Sequence, residues 1–169
     1  EAMRIGDRIA MMEGGRIVQV GTPEEILKNP ADEYVRAFFR GVDPTNVLKA
    51  GDVVRDNQVT IIRHKGVGPR SALERLMEQD RDFGYILDPD RHFSGVVSVE
   101  SLRNAIEASS ADDGNTLQKA FLDGVQAVST DTPLQDVLTL ITQEGCPGAS
   151  VDEKKVYQGA ISKYRFLKT

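Results

Sequence analysis

Hydrophobic and polar positions alternate along this chain in short blocks with clear punctuation. "RIAMM" (Arg8–Met12) and "RIVQV" (Arg16–Val20) read as strands on either side of Gly14–Gly15, a turn because glycine accepts positive φ at little cost. Thr22, Pro23 and Glu25 then announce a helix. The threonine caps, the proline suits the first helical position, and the glutamate completes a capping box worth about 1 kcal/mol. Pro30 closes that helix, and "ADEYVRAFF" opens another with Tyr34, Phe38 and Phe39 on one side.

The remainder contains a repeat. "GYILDPDRHFSGVVSVESL" (Gly84–Leu102) aligns without a gap to "GASVDEKKVYQGAISKYRF" (Gly148–Phe166). Gly95 falls on Gly159, Ser98 on Ser162, Phe93 on Tyr157 and Asp88 on Asp152, always 64 residues apart. The same offset pairs Pro69 with Pro133, Leu73 with Val137 and Met77 with Ile141. Self-similarity at a fixed spacing marks two copies of one supersecondary unit. The first copy reads as strand "QVTII", helix "PRSALERLMEQ", strand "GYILD", turn "PDRH", strand "FSGVVS" and helix "ESLRNAIEA". The second reads as strand "VQAVS", a helix from Thr132 and Pro133 to Gly145 with Leu134, Val137, Leu138 and Ile141 as its apolar stripe, then a hairpin of "GASV" and "VYQGAIS". Each copy is too small to bury a comfortable core alone, so the expectation is an α+β fold of two β-α-β-β-α repeats packed sheet to sheet. That expectation requires Gly95 and Gly159 to occupy equivalent places.

Composition narrows the classes. The 169 residues carry a net charge of −5, spread as −2 over 1–45, −2 over 46–112 and −1 over 113–169. There is no basic stripe, which argues against nucleic acid as a partner because phosphate neutralisation needs clustered Lys and Arg. No apolar run approaches the ~20 residues of a membrane span, and Glu1 opens a charged segment rather than a signal peptide. The single cysteine, Cys146, excludes a disulfide within the chain and reads as a small buried filler.

"EAMRIGDRIAMMEGGRIVQVGTPEEILKNPADEYVRAFF" closely resembles the end of an ABC transporter ATPase domain, beyond its switch-loop histidine. "RGVDPTNVL" resembles the glycine betaine/proline (quaternary-amine) branch. The two repeats, with "GVVS" and "GAIS" before a helix, resemble a tandem CBS domain pair, which that branch carries after its ATPase domain. The resemblance implies three segments: 1–45 as the C-terminal remnant of the ATPase domain, 46–112 as the first CBS domain and 113–169 as the second. It also implies a cytoplasmic regulatory part of an osmoprotectant importer, peripheral to the inner (plasma) membrane, with the permease subunit as partner, ATP and magnesium in the full-length subunit, and self-association through the CBS pair.

No enzyme site is legible. ATP hydrolysis needs a phosphate-cradling loop, and no G-x-x-x-x-G-K-[ST] and no "LSGGQ"-like run occurs. "GVGPRS" (Gly66–Ser71) reads as a turn into a helix with Pro69 first. His64 and His92 show no metal or catalytic spacing. In nucleotide-binding CBS domains the final strand ends in G-h-h-[ST]-x-x-D, with the hydroxyl on phosphate and the carboxylate on ribose. Here the resemblance places Ser98 and Ser162 at the hydroxyl position, and Ser101 and Arg165 where the acid would be. Glu100, beside Ser101, is expected to point about 100° away around the helix. Thr130 and Thr132 complete the candidate cleft. The serines either cap helices or hold a ligand, such as an adenine nucleotide or cyclic dinucleotide. Sensing of ionic strength and a ligand-free dimerisation scaffold are the other readings.

Overall fold

The computed structural model describes residues 8–108, 116–143 and 145–162. Two strands open it, β1 (Ile9–Glu13) and β2 (Arg16–Gly21), as an antiparallel hairpin. Helix α1 (Pro23–Lys28) follows with the expected box: Thr22 N–H donates to Glu25 Oε2 at 2.9 Å and Glu25 N–H to Thr22 Oγ1 at 3.1 Å. Helix α2 (Glu33–Phe38) is capped by Asp32. Tyr34, Phe38 and Phe39, expected on one side, are divided. Val35 and Phe39 turn inward to Met11 and Ile26, while Tyr34 and Phe38 stay exposed. One helical turn separates Val35 from Phe39, so burying that pair forces Phe38 outward.

A short helix, α3 (Ala50–Val53), leads to the first repeat: β3 (Val59–Ile62), α4 (Pro69–Glu78), β4 (Phe83–Leu87), β5 (Phe93–Ser98) and α5 (Val99–Ala108). A second short helix, α6 (Thr116–Lys119), leads to the second: β6 (Val128–Ser129), α7 (Leu134–Gln143), β7 (Gly148–Val151) and β8 (Tyr157–Ile161). Each three-stranded sheet pairs its first two strands in parallel and the last two antiparallel. One face of each sheet carries helices. Val59, Ile61, Ile86 and Val97 meet Ala72, Leu76 and Leu102 in the first repeat, and Val128 and Ile161 meet Leu134, Val137 and Ile141 in the second. The opposite faces meet each other. Tyr85, Leu87 and Val96 pack on Ala149, Tyr157 and Ala160, and the Tyr85 and Tyr157 rings lie 5.6 Å apart.

Gly95 and Gly159 are equivalent: Gly95 faces Ile86 across its hairpin, and Gly159 faces Ser150, in each case 64 residues on. The turns match as well, since Arg91 and Lys155 both adopt positive φ, 66° and 65°. The helices do not share that spacing. Leu76 lies over Gly84 and Ile141 over Gly148, so Leu76, not Met77, corresponds to Ile141. By the same shift Ala72 matches Val137 and Pro69 matches Leu134. The expected pairs Pro69–Pro133, Leu73–Val137 and Met77–Ile141 are each one residue out, because the helix residue over the equivalent glycine stands eight positions before Gly84 but seven before Gly148. Met77 is exposed in consequence.

The segments preceding each repeat are exchanged. Arg55 N–H donates to Ala160 O at 3.0 Å and Ala160 N–H to Arg55 O at 2.9 Å, on the second sheet. Leu122 N–H donates to Val96 O at 2.8 Å, on the first. Ala50 belongs to the second helical core and Leu117 and Ala120 to the first. This exchange explains both glycines. A Cβ on Gly159 would lie 2.5 Å from Arg55 O, and one on Gly95 2.6 Å from the Phe121 ring.

Candidate functional site

Strand β5 delivers Ser98 to the start of α5. There the hydroxyls of Ser98 and Ser101 serve each other's backbone: Ser101 N–H donates to Ser98 Oγ at 2.9 Å and Ser98 N–H to Ser101 Oγ at 2.8 Å. The Ser101 hydroxyl also donates to Ser98 O at 3.1 Å. Both serines therefore cap. Ser98 keeps its own hydroxyl proton for another acceptor and lies on the wall of a cavity of about 1250 Å³.

That cavity is walled by both halves of the pair. From the first come Asp82, Phe83 and the face of α5 bearing Glu100, Arg103, Asn104 and Glu107; from the second come residues 122–128, Leu140, Ile141 and Cys146. The spacing 100, 103, 104, 107 is one helical stripe. Glu100, expected to turn away, is on the wall, and Ser101 is the residue taken up by capping. Among the described residues, four carboxylates (Asp82, Glu100, Glu107 and Asp123) and one guanidinium, Arg103, line this cavity. Sequence reasoning passed over this stripe because its residues become neighbours of 122–128 only once the linker crosses to the opposite sheet.

Ser162 does not join Ser98. It lines a second cavity of about 460 Å³ with Asn57, Gln58, Asp80 and Arg81. The two cavities share Asp82, Phe83, Gly145 and Cys146 as their dividing wall. Cys146 is buried, as expected of a filler. Arg165 lies outside the described residues. Thr130 and Thr132 line neither cavity. Their carbonyls accept from Gly51 and Ala50 N–H, both at 2.8 Å, and so hold α3.

His92 has a partner that spacing did not reveal: its Nδ1 lies 3.0 Å from Asp88 Oδ2. Asp88 Oδ1 accepts the Asp90 and His92 N–H groups. Burial pushes this carboxyl up, but the bonds from His92 and Asp90 outweigh it and hold it below the usual range. Asp152 accepts from Lys154 and Val156 N–H in the same way, with no histidine nearby in its hairpin. The Asp88–Asp90–His92 cluster is thus explained as turn chemistry common to both repeats. Among the described residues, the buried hydroxyls Ser150 Oγ and Tyr157 Oη find no hydrogen-bond partner, and burial pushes the Tyr157 phenol up.

No helix among the described residues is long and apolar enough to cross a membrane. No family model matches the chain. Among curated proteins, the glycine betaine/proline betaine transport system ATP-binding protein ProV of Salmonella typhimurium is 46% identical over 168 residues, 99% of this chain and 41% of that protein. The glycine betaine transport ATP-binding protein OpuAA of Bacillus subtilis is 35% identical over 95% of the chain and 37% of its own length. The chain thus spans about two-fifths of the curated relatives it matches. Among solved structures, Staphylococcus aureus OpuCA superposes with a TM-score of 0.54 at 18% identity, over 66% of this chain and 90% of that one. CBSX2 in complex with AMP gives 0.58 at 19%, over 72% and 94%. The CBS domain pair of MJ0100, in complex with 5-methylthioadenosine and S-adenosyl-L-methionine, gives 0.53 at 14%, over 69% and 93%. With two equivalent repeats facing each other, β-α-β-β-α in the first and β-α-β-β among the described residues of the second, the chain has the fold of a tandem CBS domain pair and belongs with the C-terminal part of the glycine betaine-type ABC transporter ATP-binding subunits.

Proposed function

We propose that the chain is the regulatory module of an osmoprotectant importer's ATP-binding subunit, divided as 1–45 (the end of the ATPase domain), 46–112 and 113–169 (the two CBS domains). In the whole subunit, ATP and magnesium would act in the preceding ATPase domain, next to a permease at the cytoplasmic side of the membrane, and the transported solute would be glycine betaine or proline. The CBS pair would also be the surface through which subunits self-associate. One observation carries the regulatory reading: a cavity of about 1250 Å³ with walls from both repeats. A molecule held there touches both and shifts their relative placement by its differential affinity for the two arrangements.

The ligand class follows from the wall. Ser98 and the start of α5 offer a hydroxyl and a positive helix end, and Glu100 is placed to accept from ribose hydroxyls. The four carboxylates oppose a polyphosphate, and oppose a cyclic dinucleotide with its two phosphates less strongly. An adenosine-type molecule with one phosphate or none suits the wall best, in keeping with the AMP, methylthioadenosine and S-adenosylmethionine complexes of the structural neighbours. Calorimetric titration of the chain with AMP, methylthioadenosine and cyclic di-AMP tests this. The expected result is saturable binding of one of the first two, weakened about tenfold or more by Glu100→Gln. Absence of heat with all three would favour a dimerisation scaffold, and sedimentation that shifts with salt alone would favour an ionic-strength sensor.

A further inference from the structure

We infer that the N-terminal unit is held by the second CBS repeat rather than the first, through an ionic latch between Lys28 and Asp52 that rising salt loosens. The inference rests on the regulatory reading and supplies its route. The unit formed by β1, β2, α1 and α2 has its own small core of Met11, Ile26, Val35 and Phe39, supported by Ile9, Val18, Leu27 and Val42. Among the described residues that core is separate from the cores of the two repeats. Little apolar cohesion joins the unit to the pair, so polar contacts and the connecting chain set its placement.

Both lead to the second repeat. The turn at Pro44–Asn46 lies against α7. Residues 48–55 then make five backbone bonds to that repeat. Leu134 N–H donates to Leu48 O, Ala50 N–H to Thr132 O and Gly51 N–H to Thr130 O, each at 2.8 Å, and the Arg55–Ala160 pair supplies the other two. Lys49 Nζ adds a contact with Asp131 Oδ1 at 3.5 Å. Asp52 sits in the middle of this segment. One of its oxygens accepts from Lys49 N–H at 2.8 Å, and the other lies 3.3 Å from Lys28 Nζ, which also reaches Glu24 Oε1 at 2.7 Å. Asp52 is the best-shielded member, its side chain 12% exposed against 44% for Lys28. The segment held on the second repeat therefore presents a shielded carboxylate, and α1 presents a half-exposed ammonium. Movement of that repeat at the cleft carries Asp52 with it. Salt acts on the same bond from outside, because exposed charges are screened as the Debye length falls from ~10 Å at 0.1 M to ~3 Å at 1 M. A single exposed pair shifts an equilibrium by only a few-fold, which suits a graded response.

Amide hydrogen exchange on the whole chain at 0.05 and 0.5 M KCl tests the latch, since exchange reports local opening. In the wild type, protection of residues 23–30 is expected to fall about two- to fourfold at the higher salt. Asp52→Asn keeps an acceptor for Lys49 N–H, so α3 stays capped. Lys28→Gln should show the lower protection already at low salt, and neither it nor Asp52→Asn, whose amide can still meet the Glu24 carboxyl that faces Asp52, should show a further salt response, with peptides from β4 and β5 unchanged. The choice of repeat is read from matched core variants: Ile141→Val should raise exchange at 23–30, and Leu76→Val should not. A salt response that persists in Asp52→Asn, or a Leu76→Val effect at 23–30 that equals the Ile141→Val effect, overturns the inference. No ligand enters this experiment, so its outcome is separate from that of the cleft titrations.

Discussion

Replacing Gly159 with alanine attacks the point where the exchanged segment crosses the second sheet. Gly159 has φ +139°, and its added Cβ would lie 2.5 Å from Arg55 O, a backbone atom that cannot rotate away. Two losses combine. Holding alanine in a glycine-like conformation costs about 1–3 kcal/mol. Pushing Arg55 aside breaks its two bonds with Ala160, at 3.0 and 2.9 Å, for about 1 kcal/mol net each. The total, about 3–5 kcal/mol, is a large part of the 5–15 kcal/mol that typically holds a domain together. Gly95→Ala meets a softer obstacle, the Phe121 ring at 2.6 Å. A ring can swing, so about 1–2 kcal/mol is expected, as for moderate overpacking. Urea unfolding of the two variants against wild type, with m unchanged, measures both. The reasoning fails if Gly159→Ala is as stable as wild type, or if Gly95→Ala is the more damaging of the two.

The two interface tyrosines should part company under the same assay. Tyr85→Phe loses the 2.6 Å bond to Pro147 O and should cost about 1–2 kcal/mol, whereas Tyr157→Phe removes an unpartnered hydroxyl and should be neutral or stabilising by up to about 1 kcal/mol. Ser150 stands where the first repeat has Ile86, with its hydroxyl buried and unpartnered among the described residues, so Ser150→Ala should raise the unfolding free energy by about 1 kcal/mol. Asp88 is held below the usual carboxylate range when folded. Its stabilisation is therefore present above the ordinary value of 3.8 and lost as pH falls through the lowered one. Asp88→Asn should flatten the acid limb of a pH–melting curve, and an unchanged limb would contradict the turn assignment.

The chain's own pattern determined the repeat, the order of strands and helices within it, the capping box at Thr22, the turn at Gly14–Gly15 and the equivalence of Gly95 with Gly159; the short helices Ala50–Val53 and Thr116–Lys119 were not legible in it. These are local or periodic properties, set by side-chain spacing and backbone conformational freedom within a few residues. It also pointed to Ser98 as a helix cap beside a cleft. Tertiary structure alone decided the rest. Phe39 joins Val35 in the small core while Tyr34 and Phe38 stay exposed, because the hairpin offers one surface to α2. Leu76 rather than Met77 answers to Ile141 because the helix residue over the equivalent glycine stands eight positions before it in the first repeat and seven in the second, a difference that gapless alignment cannot register. The stripe of Glu100, Arg103 and Glu107 became a cavity wall, and Ser98 was separated from Ser162, only when the linkers crossed to opposite sheets. That crossing rests on backbone hydrogen bonds between residues about a hundred positions apart, Arg55 and Ala160, and backbone groups are the same at every residue, so nothing in the order of side chains names such a partner.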